Sequence, residues 1–281
     1  MLKLKCIVDE MGKLTPEVVK TIMDKDNTGS YILLDVRQPQ EYNERHIPGA
    51  MLVPLGKLEA RQNEIDRNKK VIIYCRSGHR SLAAAIILCE LGFEQIYHIE
   101  GGILNWPYET ISGSHEVEPD LITESATVHD VFVLGMKLEK GLYNFYKTAM
   151  KKTGVRKLKN LLGILANAEE GHIQRLYRRA TDTLGKDSLA PFEQLTGELE
   201  GDYMEGGIKV HPALETQEIK FKDKHEILEL ALEKEYLSYD FYKKAAALVN
   251  NANVKTLLHE LALEERNHAD ILIRQLEQQF R

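Results

Sequence analysis

An internal repeat in the second half of the chain limits its fold more than any other sequence feature. Residues 142–149 (Leu-Tyr-Asn-Phe-Tyr-Lys-Thr-Ala) match residues 238–245 (Ser-Tyr-Asp-Phe-Tyr-Lys-Lys-Ala) at an offset of 96. The same offset relates the triplet Ala166, Glu169, His172 to the triplet Ala262, Glu265, His268. Apolar residues recur around both copies at three- and four-residue spacing, which is typical of amphipathic helices. The repeat therefore predicts two helical hairpins of one design.

Four long helices follow from this pattern, over residues 127–152, 155–184, 223–249 and 252–280. Thr127, with Asp130 three residues later, resembles the capping arrangement that begins a helix. The segment 185–222 between the hairpins is long enough to run back along a bundle, at about 3.3 Å per extended residue. One long crossover in a four-helix bundle is the ferritin-like connectivity. We therefore predict an all-α ferritin-like bundle over residues 126–281.

The first hundred residues have a different pattern, in which short β-rich runs alternate with helical stretches. We predict strands at 31–35, 51–54, 71–75 and 95–99, and helices after Pro16, around 58–68 and from 81 to 91. This alternation is typical of a parallel α/β sheet with helices on both faces. We assign residues 1–110 to this α/β domain. Residues 111–125, which contain Ser, Gly, Pro and acidic residues without periodicity, are predicted to be a linker.

Charge and composition limit which partners and which cellular compartment are expected for this chain. The net charge of -6 favours neither nucleic acid nor an acidic membrane surface. Charge interrupts the amino terminus too early for a signal peptide, and no apolar run reaches the roughly 20 residues of a membrane span, so we expect a cytoplasmic protein. Three widely spaced cysteines, Cys6, Cys75 and Cys89, form no disulfide framework. No C-x-x-C pair is present, so this chain alone supplies no zinc ribbon or rubredoxin-type iron site.

One cysteine lies in a loop with the chemistry of a reactive thiol. The sequence Cys75-Arg-Ser-Gly-His-Arg80 follows a predicted strand and leads directly into a predicted helix. Backbone N–H groups at a helix start, together with the charges of Arg76 and Arg80, stabilise a thiolate or an anion. Gly78 lets the loop curl tightly. We therefore predict Cys75 as the nucleophile, with Arg76, Ser77, Gly78, His79 and Arg80 as the substrate-binding loop. Cys6 has no motif, and Cys89 lies in an apolar helix.

Five motifs in this half resemble those of single-domain rhodaneses, in the order of that family. They are Leu34-Asp-Val-Arg37, Glu41-Tyr, His46-Ile-Pro-Gly-Ala50, Cys75-Arg-Ser-Gly-His-Arg80-Ser and Glu100-Gly-Gly-Ile-Leu-Asn-Trp106. The resemblance covers residues 10–108 and implies sulfur transfer through a persulfide on Cys75. Asp35 and Arg37 are expected to support the loop. A cysteine phosphatase is the nearest alternative, but its arginine follows five intervening residues, whereas Arg80 follows four.

The helical half carries a candidate set of metal ligands. Each Glu-x-x-His pair of the repeat falls on the apolar stripe of its helix, where a carboxylate would be buried and would need compensation. Glu139 and Glu235 each precede their pair by 30 residues. One glutamate from each of two helices, with Glu-x-x-His from each of the other two, is the ligand set of di-iron and di-manganese bundles. The predicted ligands are Glu139, Glu169, His172, Glu235, Glu265 and His268.

Residues 127–280 resemble the rubrerythrin-like branch of the ferritin-like superfamily. The resemblance implies a di-iron centre, with manganese as an alternative metal, that reacts with peroxide or oxygen. Because no rubredoxin-type site is present in this sequence, turnover would need an external electron donor. Ser238 also stands one turn after Glu235, where rubrerythrins commonly carry a further acidic ligand, so metal binding is more strongly indicated than peroxidase activity.

Two classes of function remain open on the sequence. The first is an enzyme that transfers sulfur from thiosulfate or a persulfide to a thiol or cyanide and carries a second, redox-active metal domain. The second is a persulfide carrier or redox sensor whose bundle mainly dimerises and binds metal. Both imply a small sulfur-containing donor and a thiol acceptor as partners, and we expect a homodimer. Iron storage is less favoured, because nothing in the sequence indicates a shell-forming surface.

Overall fold

The computed structural model describes residues 12–26, 29–117, 121–204, 207–210, 221 and 223–279. Cys6 lies outside these residues. The chain divides into two compact units between Glu116 and Val117. Each unit has hydrophobic clusters of its own. The chain near this boundary is attached to both sides: Ile111 forms a bridge with His46 of the first unit, while Ile122 is buried in the core of the second.

Within the described part of the chain, the first unit is built on a five-stranded parallel sheet. Its strands are β1 (Gly12–Leu14), β2 (Tyr31–Asp35), β3 (Met51–Leu52), β4 (Lys70–Tyr74) and β5 (Ile96–Ile99), in the order β1-β5-β4-β2-β3. Asp35 pairs with Tyr74, so the carboxyl ends of β2 and β4 lie at the same edge of the sheet. In open parallel sheets the loops at this edge are where ligands bind.

Helices cover both faces of this sheet. Helices α1 (Pro16–Lys25) and α2 (Pro39–Glu44) pack on the face that carries Ile72 and Tyr74, and α3 (His79–Glu90) packs on the opposite face. Successive side chains of a strand point to opposite faces. The apolar run of β4 therefore needs cover on both sides, which the helices provide. The predicted α/β architecture is confirmed.

The first unit differs from the sequence prediction in three places. The stretch 58–68 contains the short 3₁₀ turn Gln62–Glu64 in place of the predicted helix. Only Leu58 and Ile65 are buried in this stretch. An amphipathic helix buries a residue at almost every turn, so two buried residues seven positions apart are too few to stabilise one. Strand β1 and helix α2 were not predicted, because elements this short show too little periodicity to be recognised.

The second unit contains, among the described residues, the four long helices that the repeat predicts. They are α4 (Val128–Lys152) and α5 (Arg156–Leu184), then α7 (Lys224–Leu248) and α8 (Ala252–Gln279), with the short α6 (Phe192–Glu198) between the pairs. Thr127 and Asp130 cap α4 reciprocally, and Asp223 caps α7. Helix α4 packs mainly on α5, and α7 on α8. None of the helices described here has the length and apolar character needed to cross a membrane.

The crossover between the hairpins lies directly against α4. It contains α6 and the antiparallel strands β6 (Tyr203–Met204) and β7 (Ile208–Lys209). A Cβ atom on Gly141 would overlap the backbone of Tyr203, so glycine permits the close approach. Gly141 is two residues from Glu139, which places it about 200° around the helix. The crossover therefore covers the face of α4 that is directed away from the predicted metal ligand.

Candidate functional site

The Cys75 loop places a sulfur atom at the start of a helix. Cys75 follows β4 and is 1% exposed. Gly78 has a φ of 99°, a backbone conformation that favours glycine, and α3 begins at the next residue. The turn brings backbone N–H groups around the sulfur, and the N–H of Gly78 donates to Cys75 Sγ at 3.1 Å. The loop can therefore hold a negatively charged sulfur through amide dipoles.

The charge state of the sulfur is set by burial and by these donors. Burial by itself raises the pKa of Cys75, but hydrogen bonds from Ser81, through its backbone N–H and its hydroxyl, and from the N–H groups of Gly78 and Ser77 outweigh it. The pKa of the Cys75 thiol is lowered as a result. A thiolate is the nucleophilic form of cysteine. Ser81 was absent from the predicted site residues, although its place in the first turn of α3 was visible in the sequence.

A second turn holds the loop from behind. After β5, the N–H of Ile103 donates to the Cys75 carbonyl at 2.8 Å, and the N–H of Leu104 donates to the Arg76 carbonyl at 3.1 Å. Gly102 has a φ of 62°, and a Cβ there would overlap the Cys75 carbonyl oxygen. Because the two loop carbonyls are directed to this turn, the loop N–H groups can face the sulfur. The Gly-Gly motif at 101–102 therefore supports the geometry of the site.

The two arginines of the loop have different surroundings. Arg80 makes a bidentate ion pair with Glu41, with both hydrogen bonds at 2.7 Å. The Arg80 guanidinium lowers the pKa of the Glu41 carboxyl to about 2. Arg76 is exposed and makes no ion pair with any residue that the structure describes. Glu41 therefore compensates the charge of Arg80, and Arg76 is the loop arginine that can meet an incoming anion.

The remaining predicted residues of this half lie at the same edge of the sheet. Ser77 Oγ is 3.1 Å from His79 Nδ1, and both residues are exposed. The Arg37 guanidinium binds the Asp35 carboxylate in a buried pair and also donates to the carbonyl of Arg45 at 2.6 Å. It lies over the ring of Tyr74, the residue before Cys75. Asp35 and Arg37 thus fix the ends of β2 and β4 and do not contact the sulfur.

The helical unit brings the six predicted metal ligands into two similar groups. Helices α4 and α5 supply Glu139, Glu169 and His172, and helices α7 and α8 supply Glu235, Glu265 and His268. Within each group the candidate ligand atoms all lie within 4.8 Å of one another. His172 Nδ1 is 3.2 Å from Glu139 and 3.1 Å from Glu169. His268 Nδ1 is 3.4 Å from Glu235 and 3.2 Å from Glu265.

The two groups meet through their imidazoles. The rings of His172 and His268 are stacked, with centroids 4.0 Å apart and planes inclined by 14°. Each histidine belongs to a different hairpin, so this contact joins the two halves of the repeat. The six side chains form one cluster made of two matching sets.

The donor set of this cluster fits two divalent cations. The four glutamates are between 2% and 5% exposed, and burying a carboxylate is costly without a compensating charge. Although Glu169 Oε2 lies 3.1 Å from His172 Nδ1, it makes no hydrogen bond to the residues that the structure describes. Four carboxylates exceed the charge that two imidazoles can offset, even if both were protonated. Carboxylate oxygens with imidazole nitrogens are the ligands of di-iron and di-manganese bundles.

Comparison with known proteins finds two families in this chain. A family model described as a Rhodanese-like domain matches residues 15–109, and one described as Rubrerythrin matches residues 99–180. A sulfurtransferase from Allochromatium vinosum is 36% identical over 80 residues, which are 28% of this chain and 75% of that protein. This chain belongs to the rhodanese-like family and also carries a rubrerythrin domain. The fusion that the motifs indicate is confirmed.

Two further relatives extend the comparison. The putative sulfur carrier protein YrkF of Bacillus subtilis is 37% identical over 98 residues, which are 35% of this chain and 52% of YrkF. The match thus spans about half the length of that relative. A rhodanese-related protein of known structure from Thermoplasma volcanium is 28% identical, covers 36% of this chain and 97% of its own, and has a TM-score of 0.32.

The matches and the geometry together establish the general class of each domain. Relatives named sulfurtransferases support a rhodanese-type transferase in the first unit. The rubrerythrin match, with the two groups of two glutamates and one histidine, supports a di-iron type of domain in the second.

Proposed function

We propose that the rhodanese-like domain is a sulfurtransferase that forms a persulfide on Cys75. The observation that supports this proposal most directly is the sulfur atom itself. Cys75 Sγ lies at the start of α3, accepts the Gly78 N–H, and has a lowered pKa. The same donors that favour a thiolate also favour the terminal sulfur of a persulfide, because both are sulfur anions.

The reaction proceeds in two displacements at sulfur. The Cys75 thiolate attacks the outer sulfur of a donor such as thiosulfate, so that a bond forms between the two sulfurs and the S–S bond of the donor breaks. Sulfite leaves with the electron pair of that bond. A thiolate or cyanide acceptor then attacks the outer sulfur of the persulfide, and the Cys75 thiolate is released. Arg76 is the loop cation that faces the anionic donor.

The assay is the transfer of sulfur from thiosulfate to cyanide by the full chain. We expect Cys75→Ser to abolish it and to leave the metal content of the helical unit unchanged. Unchanged fluorescence of the single tryptophan, Trp106, serves as the folding control, because it lies in the same unit as Cys75. A variant that keeps the wild-type rate would remove Cys75 from the mechanism.

We propose further that the helical domain binds two iron ions through the six clustered side chains, with manganese as an alternative. The ions would supply redox chemistry towards peroxide or oxygen. The protein contributes the buried carboxylates that compensate the positive charge, and the imidazoles at the less enclosed side of the cluster. Turnover would draw electrons from an external donor.

Metal analysis of the full chain tests this half of the proposal. We expect iron in protein purified from iron-rich cells, and a loss of metal in Glu169→Ala and in Glu265→Ala. The matched control is Glu170→Ala, which removes a glutamate that is the exposed neighbour of Glu169. Equal metal content in Glu169→Ala and Glu170→Ala would contradict the assignment of ligands.

A carrier of persulfide is the second candidate, and the likeness to a putative sulfur carrier protein favours it. A carrier would accumulate one outer sulfur on Cys75 and pass it slowly to cyanide but rapidly to a specific thiol partner. Mass spectrometry of Cys75 after reaction with thiosulfate, together with the rate of transfer to cyanide, separates the two. Fast multiple turnover with cyanide would favour the enzyme.

The partners follow from this chemistry. We propose a small sulfur-containing donor, a thiol acceptor and a second copy of the chain as a homodimer, in the cytoplasm. Nucleic acid and membranes are not part of the proposal. Sedimentation of the purified chain gives the oligomeric state directly.

A further inference from the structure

A cavity of about 270 Å³ opens between α5 and α8 and reaches the candidate metal cluster. Its walls are formed by Arg175, Leu176, Arg179, Glu264, Asn267 and His268. His268 is a predicted metal ligand, and its ring stacks on that of His172. The cavity therefore leads from the surface of the bundle to the imidazole side of the cluster.

The exposure of the ligands identifies this side as the open one. The side chains of His172 and His268 are 11% and 20% exposed, whereas those of the four glutamates are only 3–6% exposed. A small molecule that approaches through the cavity would thus meet His268 before any of the four ligand carboxylates. The one carboxylate of the cavity wall, that of Glu264, is held by Arg179.

The walls of the cavity include two arginines, of which only one is held by carboxylates among the described residues. Arg179 binds the carboxylate of Glu264 at 2.7 Å and also that of Glu260, so its charge is compensated. Arg175 is exposed and forms no ion pair within the described ranges of the chain. It lines the cavity one turn of α5 before Arg179, so its guanidinium is available to a ligand there.

We propose that this cavity is the mouth of the metal centre and that it selects small inorganic anions, with Arg175 as the residue that attracts them. The inference rests on the proposed metal binding. A volume of about 270 Å³ lies below the usual range for drug-sized ligands, roughly 300–1,000 Å³, and well above the roughly 30 Å³ of one water. It suits an anion of a few atoms with some of its water.

The ligand class follows from the chemistry of the walls. A guanidinium presents several N–H donors in a plane and binds anions strongly. Beyond it lie the side chains that would hold the metal ions, and such ions would attract an anionic ligand. Azide, hydrosulfide and sulfite combine small size, negative charge and the ability to bind a metal. One of these, sulfite, is the anion that the proposed sulfur transfer from thiosulfate to Cys75 releases.

The test is the binding of azide to the iron-containing full chain. Binding is measured as the change in visible absorption during a titration with azide. We expect Arg175→Gln to weaken azide binding about tenfold, a difference of about 1.4 kcal/mol. Arg175→Lys, which keeps the charge, should restore most of the affinity. The matched control is Arg178→Gln, since Arg178 is an exposed arginine of the same helix that does not line the cavity. It should bind azide like the wild type.

Several outcomes would overturn the inference. Equal azide affinity in Arg175→Gln and Arg178→Gln would remove Arg175 from the mouth. A loss of iron in Arg175→Gln alone would place this residue in the support of the metal ligands instead. Failure of the wild-type chain to bind iron would refute the proposed metal centre. Iron binding with an azide affinity that does not depend on Arg175 would refute only the role of the cavity in anion selection. Titrations with hydrosulfide and sulfite then identify the preferred anion.

Discussion

Removal of the Ser81 hydroxyl tests the most specific statement about the sulfur site. Ser81 is fully buried in the first turn of α3, and its hydroxyl and backbone N–H both lower the pKa of Cys75. Ser81→Ala removes the hydroxyl and keeps the backbone donor. The expected result is a higher pKa for the Cys75 thiol, with the loop otherwise unchanged.

The size of the pKa shift depends on how the single hydroxyl hydrogen of Ser81 is shared. This hydroxyl also donates to the Gly78 carbonyl at 3.0 Å, so a hydrogen bond to the Cys75 sulfur forms at the expense of the bond to Gly78. A hydrogen bond to a charged group contributes about 1.5–3 kcal/mol, and the competition favours the lower end of that range. One pKa unit corresponds to about 1.4 kcal/mol. The pKa of Cys75 should therefore rise by about one unit in Ser81→Ala.

The assay is the rate of alkylation of Cys75 as a function of pH, which follows the fraction of thiolate. Because the pKa rises, the whole profile should move to higher pH, and the rate below the wild-type pKa should fall about tenfold. Ser77→Ala is the matched control. It also removes one hydroxyl from the loop, but that hydroxyl contacts His79, while the Ser77 backbone donor remains.

The alkylation profiles of the two variants together test whether the Ser81 hydroxyl stabilises the Cys75 thiolate. If Ser81→Ala leaves the alkylation profile in place, or if Ser77→Ala moves it equally, the hydroxyl of Ser81 does not stabilise the thiolate. The backbone amides alone would then account for the lowered pKa. A parallel fall in sulfur transfer from thiosulfate at neutral pH links the titration to the proposed function.

Three further predictions concern the support of the two sites. Gly102→Ala should slow sulfur transfer by at least about tenfold, because the new Cβ displaces the Cys75 carbonyl; a wild-type rate would contradict this. Gly141→Ala should lower the free energy of unfolding of the helical unit by about 1–3 kcal/mol in a denaturant titration, whereas Gly163→Ala, with its nearest contact at 3.6 Å, should not. Burial, with the charge of Lys13, lowers the pKa of His98, so the unfolded chain protonates more readily and the first unit should lose stability as the pH falls below about 6.5. Unfolding followed by the fluorescence of the single tryptophan, Trp106, measures this loss of stability. In His98→Gln the stability of the first unit should depend less on pH.

The elements that were predictable from the sequence carry their signals locally. The long helices begin and end within two residues of the prediction, because capping residues such as Thr127 coincide with the start of a clear 3.6-residue period. The central strands were equally clear, since β2 and β4 are short apolar runs enriched in branched residues. The helix predicted over 58–68 was wrong because this stretch has only two large apolar residues, Leu58 and Ile65, and the rest, apart from Ala60, are charged or polar.

The partners within the sulfur site could not be predicted, because they come from distant parts of the chain. Arg80 and Glu41 are 39 residues apart, and nothing in either local pattern indicates that they pair. The turn at Ile103 binds the Cys75 carbonyl only because β5 lies beside β4 in the sheet. The loop sequence thus indicated the chemistry of the nucleophile, while the identity of the available arginine emerged only from the fold.

The metal cluster shows which part of a site a repeat can specify. The spacing of Glu169 and His172 on one helix places both side chains on one face, so each Glu-x-x-His pair was readable from the sequence. The third member of each set comes from the other helix of the same hairpin, as the constant 30-residue separation suggests. The stacking of His172 on His268 depends on how two hairpins pack, and it has no counterpart in the linear pattern.

The effect of a single ligand substitution on metal content depends on whether each hairpin holds its own ion. Because each hairpin supplies a complete set of two carboxylates and one imidazole, one ion could be held by one hairpin alone. Under that arrangement Glu169→Ala would remove one ion and leave the set of Glu265 occupied. If a carboxylate bridges both ions instead, the loss of Glu169 would weaken both. The stacked histidines lie close enough for the second arrangement, so metal content that falls to half in each single variant would argue for two separate ions, and a fall to none would argue for a shared centre.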